Sequence, residues 1–116
     1  MSIFDWLFGA KARQISVQEA YVLLQNANPP LLVDVRQPAE TQAGVIEGAV
    51  LIPLTEFGER YTELPQERQI LTICRSSHRS PLAARRLLKA GYNVLDVQGG
   101  TNAWEQAGLP MQKGDQ

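Results

Sequence analysis

The chain has 116 residues, 44% of them hydrophobic and 20% charged, the size and composition of one compact domain with its own core and no room for a second. A formal charge of -1 argues against a general nucleic-acid binder, because neutralising phosphates needs a net basic face. One cysteine and one histidine exclude an intrachain disulfide and cannot alone build a tetrahedral metal site, so no metal is expected.

At the amino terminus, Ile3, Phe4, Leu7 and Phe8, with Trp6 beside them, predict a short amphipathic helix. It would dock on a protein partner or a membrane surface, or pack on this domain itself. Only Lys11 and Arg13 add positive charge nearby, which is weak for membrane binding. There is no basic stretch ahead of an apolar core and no run of transmembrane length, so a cytoplasmic, reducing setting is expected. Residues 1–14 are assigned to this segment, 15–110 to the folded domain and 111–116 to a frayed tail.

Ser16 and Glu19 form a capping box, and Ala20, Leu23, Leu24 and Ala27 continue at helical spacing, predicting a helix of about three turns that ends before Pro29-Pro30. Leu31 to Val35 reads as a strand buried on both faces. Pro38 to Ala43 predicts one or two helical turns closed by Gly44, and Ala49 to Ile52 a strand stopped by Pro53. Leu54, Phe57, Tyr61 and Leu64 recur at helical spacing. A strand over Gln69 to Ile73 then runs into Cys74. Ser80-Pro81 reads as N-cap and first residue of a helix that ends at Gly91. Val94 to Val97 predicts a last strand, Gly99-Gly100 a tight turn, and Thr101 to Ala107 a terminal helix. Strands alternate with helices throughout, which predicts an α/β fold: a parallel sheet of about five strands with helices on both faces and function at the strands' carboxyl ends.

Cys74 lies at such an end. A lone cysteine there is commonly a small buried apolar residue. Arg75, Ser76, Ser77, His78, Arg79 and Ser80 follow it directly, however, and a helix starts behind them. No acidic residue falls between Glu67 and Asp96, whereas Arg68, Arg75, Arg79, Arg85, Arg86 and Lys89 do, so an anionic substrate or partner is expected. A helix N-terminus and neighbouring guanidinium groups lower a thiol's pKa and populate the thiolate. Loop amides and the hydroxyls of Ser76, Ser77 and Ser80 supply oxyanion donors. His78 either joins the cationic rim when protonated or is a solvated loop residue, with the solvated role favoured. Asp34 and Arg36, at the neighbouring strand end, either orient loop donors and add charge to the pocket or form a structural ion pair between two loops.

The segment Cys74 to Ser80 resembles the active-site loop of the rhodanese (sulfurtransferase) family. Three further segments resemble that family's motifs in order: Asp34-Val35-Arg36 through Glu40, Gly44-Val45-Ile46 through Pro53-Leu54, and Val97-Gln98-Gly99-Gly100 with Ala103-Trp104 and Gly108-Leu109-Pro110. The resemblance implies a single-domain member with the rhodanese-like three-layer fold. It further implies that Cys74 takes a sulfane sulfur from a small anionic donor such as thiosulfate, becomes a persulfide, and hands the sulfur to cyanide, a thiol or a protein, with no cofactor needed. Arg75, Ser76, Ser77, His78, Arg79 and Arg36 are the expected substrate-binding residues, and Asp34 and Ser80 the structural support. Ser77 stands where the family loop most often has glycine, and Val45 replaces its usual histidine, for which a structural consequence is expected. Glu40 and Trp104 read as fold determinants, one a polar tie and the other a core aromatic. Related phosphatases carry a C-x-x-x-x-x-R loop; the span from Cys74 to Arg79 is one residue shorter, which disfavours phosphatase or arsenate reductase activity. The competing class is a non-catalytic interaction module that binds through the basic loop and the amino-terminal segment.

Overall fold

The computed structural model describes residues 10–114, so the amphipathic helix expected over Ile3 to Phe8 lies outside the described residues. In chain order the elements are β1 (Arg13–Ile15), α1 (Val17–Leu24), β2 (Leu31–Asp34), α2 (Pro38–Thr41), β3 (Val50–Leu51), α3 (Leu54–Arg60) with a 3-10 turn (Tyr61–Glu63), β4 (Ile70–Ile73), α4 (Ser80–Lys89), β5 (Val94–Val97) and α5 (Gly100–Gln106). The five strands form one parallel sheet in the order β1-β5-β4-β2-β3. Strand alternation sends Val33, Ile70 and Val94 to one face, where they meet Phe57, Ala83, Ala84 and Leu87 of α3 and α4. Leu32, Leu71, Ile73 and Val97 go to the other, against Val17, Ala20 and Trp104 of α1 and α5. The fold is therefore the three-layer α/β arrangement that alternating strands and helices imply. No described helix is long and apolar enough to cross a membrane.

The structure departs from the sequence expectation at four places. The capping box of α1 forms, with Ser16 Oγ accepting from Glu19 N at 3.0 Å and Glu19 Oε1 from Ser16 N at 3.1 Å, but the helix stops at Leu24. It stops because the next two amides bond three residues back, to Val22 and Leu23, and tighten the chain out of the α-helix. Second, β1 pairs with β5 as an edge strand that the sequence reading did not place, since only Ile15 of its three residues is apolar and buried. Third, Met111 to Gly114 is not frayed: Gln112 and Val45 exchange two backbone hydrogen bonds of 2.8 Å each, and a side chain at Gly114 would collide with the Thr41 carbonyl. Fourth, Ser80 does not cap α4 but is its first residue, behind Arg79, and its side chain is buried.

Candidate active site

Cys74 follows directly on β4, a central strand hydrogen-bonded to β2 and β5. It has no exposed surface. Over it runs the loop from Arg75 to Arg79, of which Arg75, Ser76 and His78 are exposed. Two carbonyls anchor the loop's start, since Cys74 O accepts from Thr101 N at 2.8 Å and Arg75 O from Asn102 N at 3.0 Å. These amides belong to the first turn of α5, whose N-terminal donors would otherwise have no partner. So close an approach requires a residue without Cβ at position 100, because a methyl on Gly100 would overlap Cys74 O and the Arg75 carbonyl.

Burial pushes the Cys74 thiol up. The Ser80 hydroxyl and the backbone N–H groups of Ser80, Arg79 and Ser76 outweigh it by favouring the sulfur anion, and the net shift is downward. Ser80 Oγ is buried with no hydrogen-bond partner of ordinary geometry. Such an idle hydroxyl costs ~1–3 kcal/mol, which a sulfur anion beside it recovers. On the rim, Ser76 Oγ and His78 Nδ1 lie 2.9 Å apart.

The arginines divide by partner. Arg79 grips Glu40 with two bonds, 2.6 and 2.8 Å, tying α2 to the start of α4. The Arg79 hydrogen bond holds the Glu40 carboxyl, ordinarily at 4.5, down to about 2, with burial opposing and the Gln37 N–H assisting. Glu40 is thus the polar tie its motif implied. Arg75 pairs with no carboxylate among the described residues.

Of the two arrangements expected for Asp34 and Arg36, the geometry matches the structural ion pair. Arg36 is buried, with its Nε on Asp34 Oδ1 and Oδ2 at 3.1 and 3.0 Å and its Nη2 on Asp34 Oδ2 and Gly44 O, each at 2.8 Å. Asp34 accordingly orients Arg36 and the loop after β2 rather than donors of the sulfur loop. The structural ion pair is the arrangement observed, and breaking such a buried pair costs ~3–5 kcal/mol. Sequence reasoning missed the α5 amides; the Gly99-Gly100 doublet was their signal, read only as a turn.

A cleft of about 490 Å³ lined by Tyr21, Leu24, Pro30, Ile46, Trp104 and Met111 opens at the amino ends of the strands, away from Cys74. The chemistry-bearing groups converge instead on the carboxyl end of β4, the edge where open α/β sheets place their sites.

Fold and site together define an α/β domain with a single cysteine set in an anion-favouring strand–loop–helix cradle. The rhodanese-like domain family matches residues 16–107, and the chain belongs to that family. A sulfurtransferase of Allochromatium vinosum is 39% identical over 89 residues, 76% of this chain and 83% of that protein. Among solved structures, a rhodanese-related protein from Thermoplasma volcanium superposes with a TM-score of 0.81 at 30% identity, over 86% of this chain and 97% of that one. A thiosulfate sulfurtransferase from Pseudomonas aeruginosa gives 0.79 at 27% identity, covering 90% of this chain but 21% of that one.

Proposed function

We propose that the protein is a sulfurtransferase that works through a persulfide on Cys74. The observation that carries this reading is a fully buried cysteine at the carboxyl end of β4 whose thiol is shifted downward despite its burial, with the loop amides and a buried Ser80 hydroxyl that has no hydrogen-bond partner as the groups that favour its anion. A cysteine serving only as apolar filling has no use for them. In the first half-reaction the Cys74 thiolate attacks the outer sulfur of thiosulfate. The sulfur–sulfur bond of the donor breaks, sulfite leaves with the electron pair, and Cys74 retains the transferred sulfur as a persulfide anion. In the second, a nucleophile such as cyanide or a thiol attacks the outer sulfur and the Cys74 thiolate is released.

Arg75 is assigned to the sulfite charge, being the loop cation that pairs with no carboxylate among the described residues, while Arg79 serves as a tie through Glu40. The persulfide anion inherits the amides and the Ser80 hydroxyl. Because Cys74 has no exposed surface, the incoming sulfur passes the rim of Arg75, Ser76 and His78. The thiosulfate sulfurtransferase named above, and the sulfurtransferase from Allochromatium vinosum, support this class of reaction. Formation of thiocyanate from thiosulfate and cyanide tests it: wild type is expected to turn over and Cys74→Ser to be silent. Equal rates in the two would refute it.

A further inference from the structure

Ser77 is the only non-glycine residue with a left-handed backbone among those described, at φ 72°. That conformation disfavours a side chain and persists only where the surroundings hold it. Ser77 Oγ accepts a short hydrogen bond from the backbone N–H of Gly99, 22 positions along the chain. Gly99 is the N-cap of α5, and the next residues supply the amides that bind the Cys74 and Arg75 carbonyls. The loop is therefore clasped to one turn at two places, at its start by carbonyls and at its crest by the Ser77 hydroxyl. Glycine at 77 would adopt the same backbone without strain but without the clasp; alanine would keep the strain and lose the clasp.

We propose that Ser77 is a positioning residue. Its hydroxyl, bound to the Gly99 amide, fixes the crest of the loop so that the amides of Ser76 and Arg79 on either side of it converge on Cys74. It does not contact the sulfur donor. This role rests on Cys74 being the sulfur carrier, and a donor-free readout separates the two claims.

The experiment compares wild type, Ser77→Ala and Ser77→Gly in the full chain. Iodoacetamide alkylation of Cys74 is followed against pH without any donor, and thiosulfate-to-cyanide kinetics are then measured on the same samples. Ser77→Ala is expected to move the alkylation profile to higher pH, slowing the reaction at neutral pH by about three- to tenfold, for loss of one hydrogen bond at a strained position. Its kcat falls while its KM for thiosulfate stays within about twofold. Ser77→Gly falls between wild type and alanine, because the backbone is relieved. An alanine profile superimposed on wild type overturns the proposal. So does a raised KM with an unmoved profile, which makes Ser77 a donor contact, or a glycine variant more impaired than alanine. If the sulfurtransferase reading itself fails, the wild type makes no thiocyanate and the alkylation comparison still decides the role of Ser77.

Discussion

Replacing Gly100 with alanine places a methyl group against Cys74 O and the Arg75 carbonyl, which are backbone atoms of the sulfur loop and not the yielding ends of side chains. Three costs combine. Alanine at φ 60° is strained by ~1 kcal/mol. Relieving the overlap pushes the loop off α5 and weakens the Thr101–Cys74 and Asn102–Arg75 hydrogen bonds, each worth ~1 kcal/mol. Residual overpacking adds ~1 kcal/mol or more, so the expected loss is ~3–5 kcal/mol, a large share of a small domain's stability. Gly108 is the control. Its φ of 72° is similar, yet nothing lies within 4 Å of where its Cβ would be, so Gly108→Ala isolates the backbone strain at ~1 kcal/mol. Urea unfolding of the two variants measures the difference, and alkylation of Cys74 in folded Gly100→Ala reports whether the loop amides still converge. A Gly100→Ala loss no greater than that of Gly108→Ala, with unchanged alkylation, would refute the claim that the α5 turn braces the sulfur loop.

The Glu40–Arg79 pair gives a pH signature. Because the folded Glu40 value of about 2 lies below its ordinary 4.5, its contribution is complete above the ordinary value and fades as pH falls through about 2. The gap corresponds to ~3 kcal/mol at about 1.4 kcal/mol per pH unit, and solvent screening of side chains that are 23% and 30% exposed reduces the expected share to ~1–2 kcal/mol. Glu40→Gln should lower the urea midpoint at neutral pH and converge with wild type near pH ~2; parallel curves down to that pH would contradict the assignment. Arg75→Ala should leave stability unchanged and raise the KM for thiosulfate by about tenfold or more, the loss of one charge-assisted contact. An unchanged KM would remove Arg75 from the donor site.

Much of this architecture was legible because β2 to β5 each carry an apolar run and a stop of their own. Ile70 to Ile73 ends at the reactive-looking loop, and Val94 to Val97 at a glycine doublet. What the chain concealed depends on partners distant in sequence. Arg13-Gln14-Ile15 becomes a strand only by pairing with Leu95 to Val97, and Gln112 orders only against Val45. Local spacing made Ser80 a cap and Arg36 a rim cation, but burial reassigns both, leaving the Ser80 hydroxyl without a hydrogen-bond partner and consuming Arg36 on Asp34. Arg79 looked as free as Arg75 until Glu40, 39 residues away, was found on it.

The most direct measurement of the central claim is the intact mass of the protein before and after treatment with thiosulfate. Wild type is expected to gain the mass of one sulfur atom, to lose it on adding cyanide, and to show no gain as Cys74→Ser. A wild type whose mass does not change, or a Cys74→Ser variant that gains the same sulfur, would contradict a persulfide on Cys74.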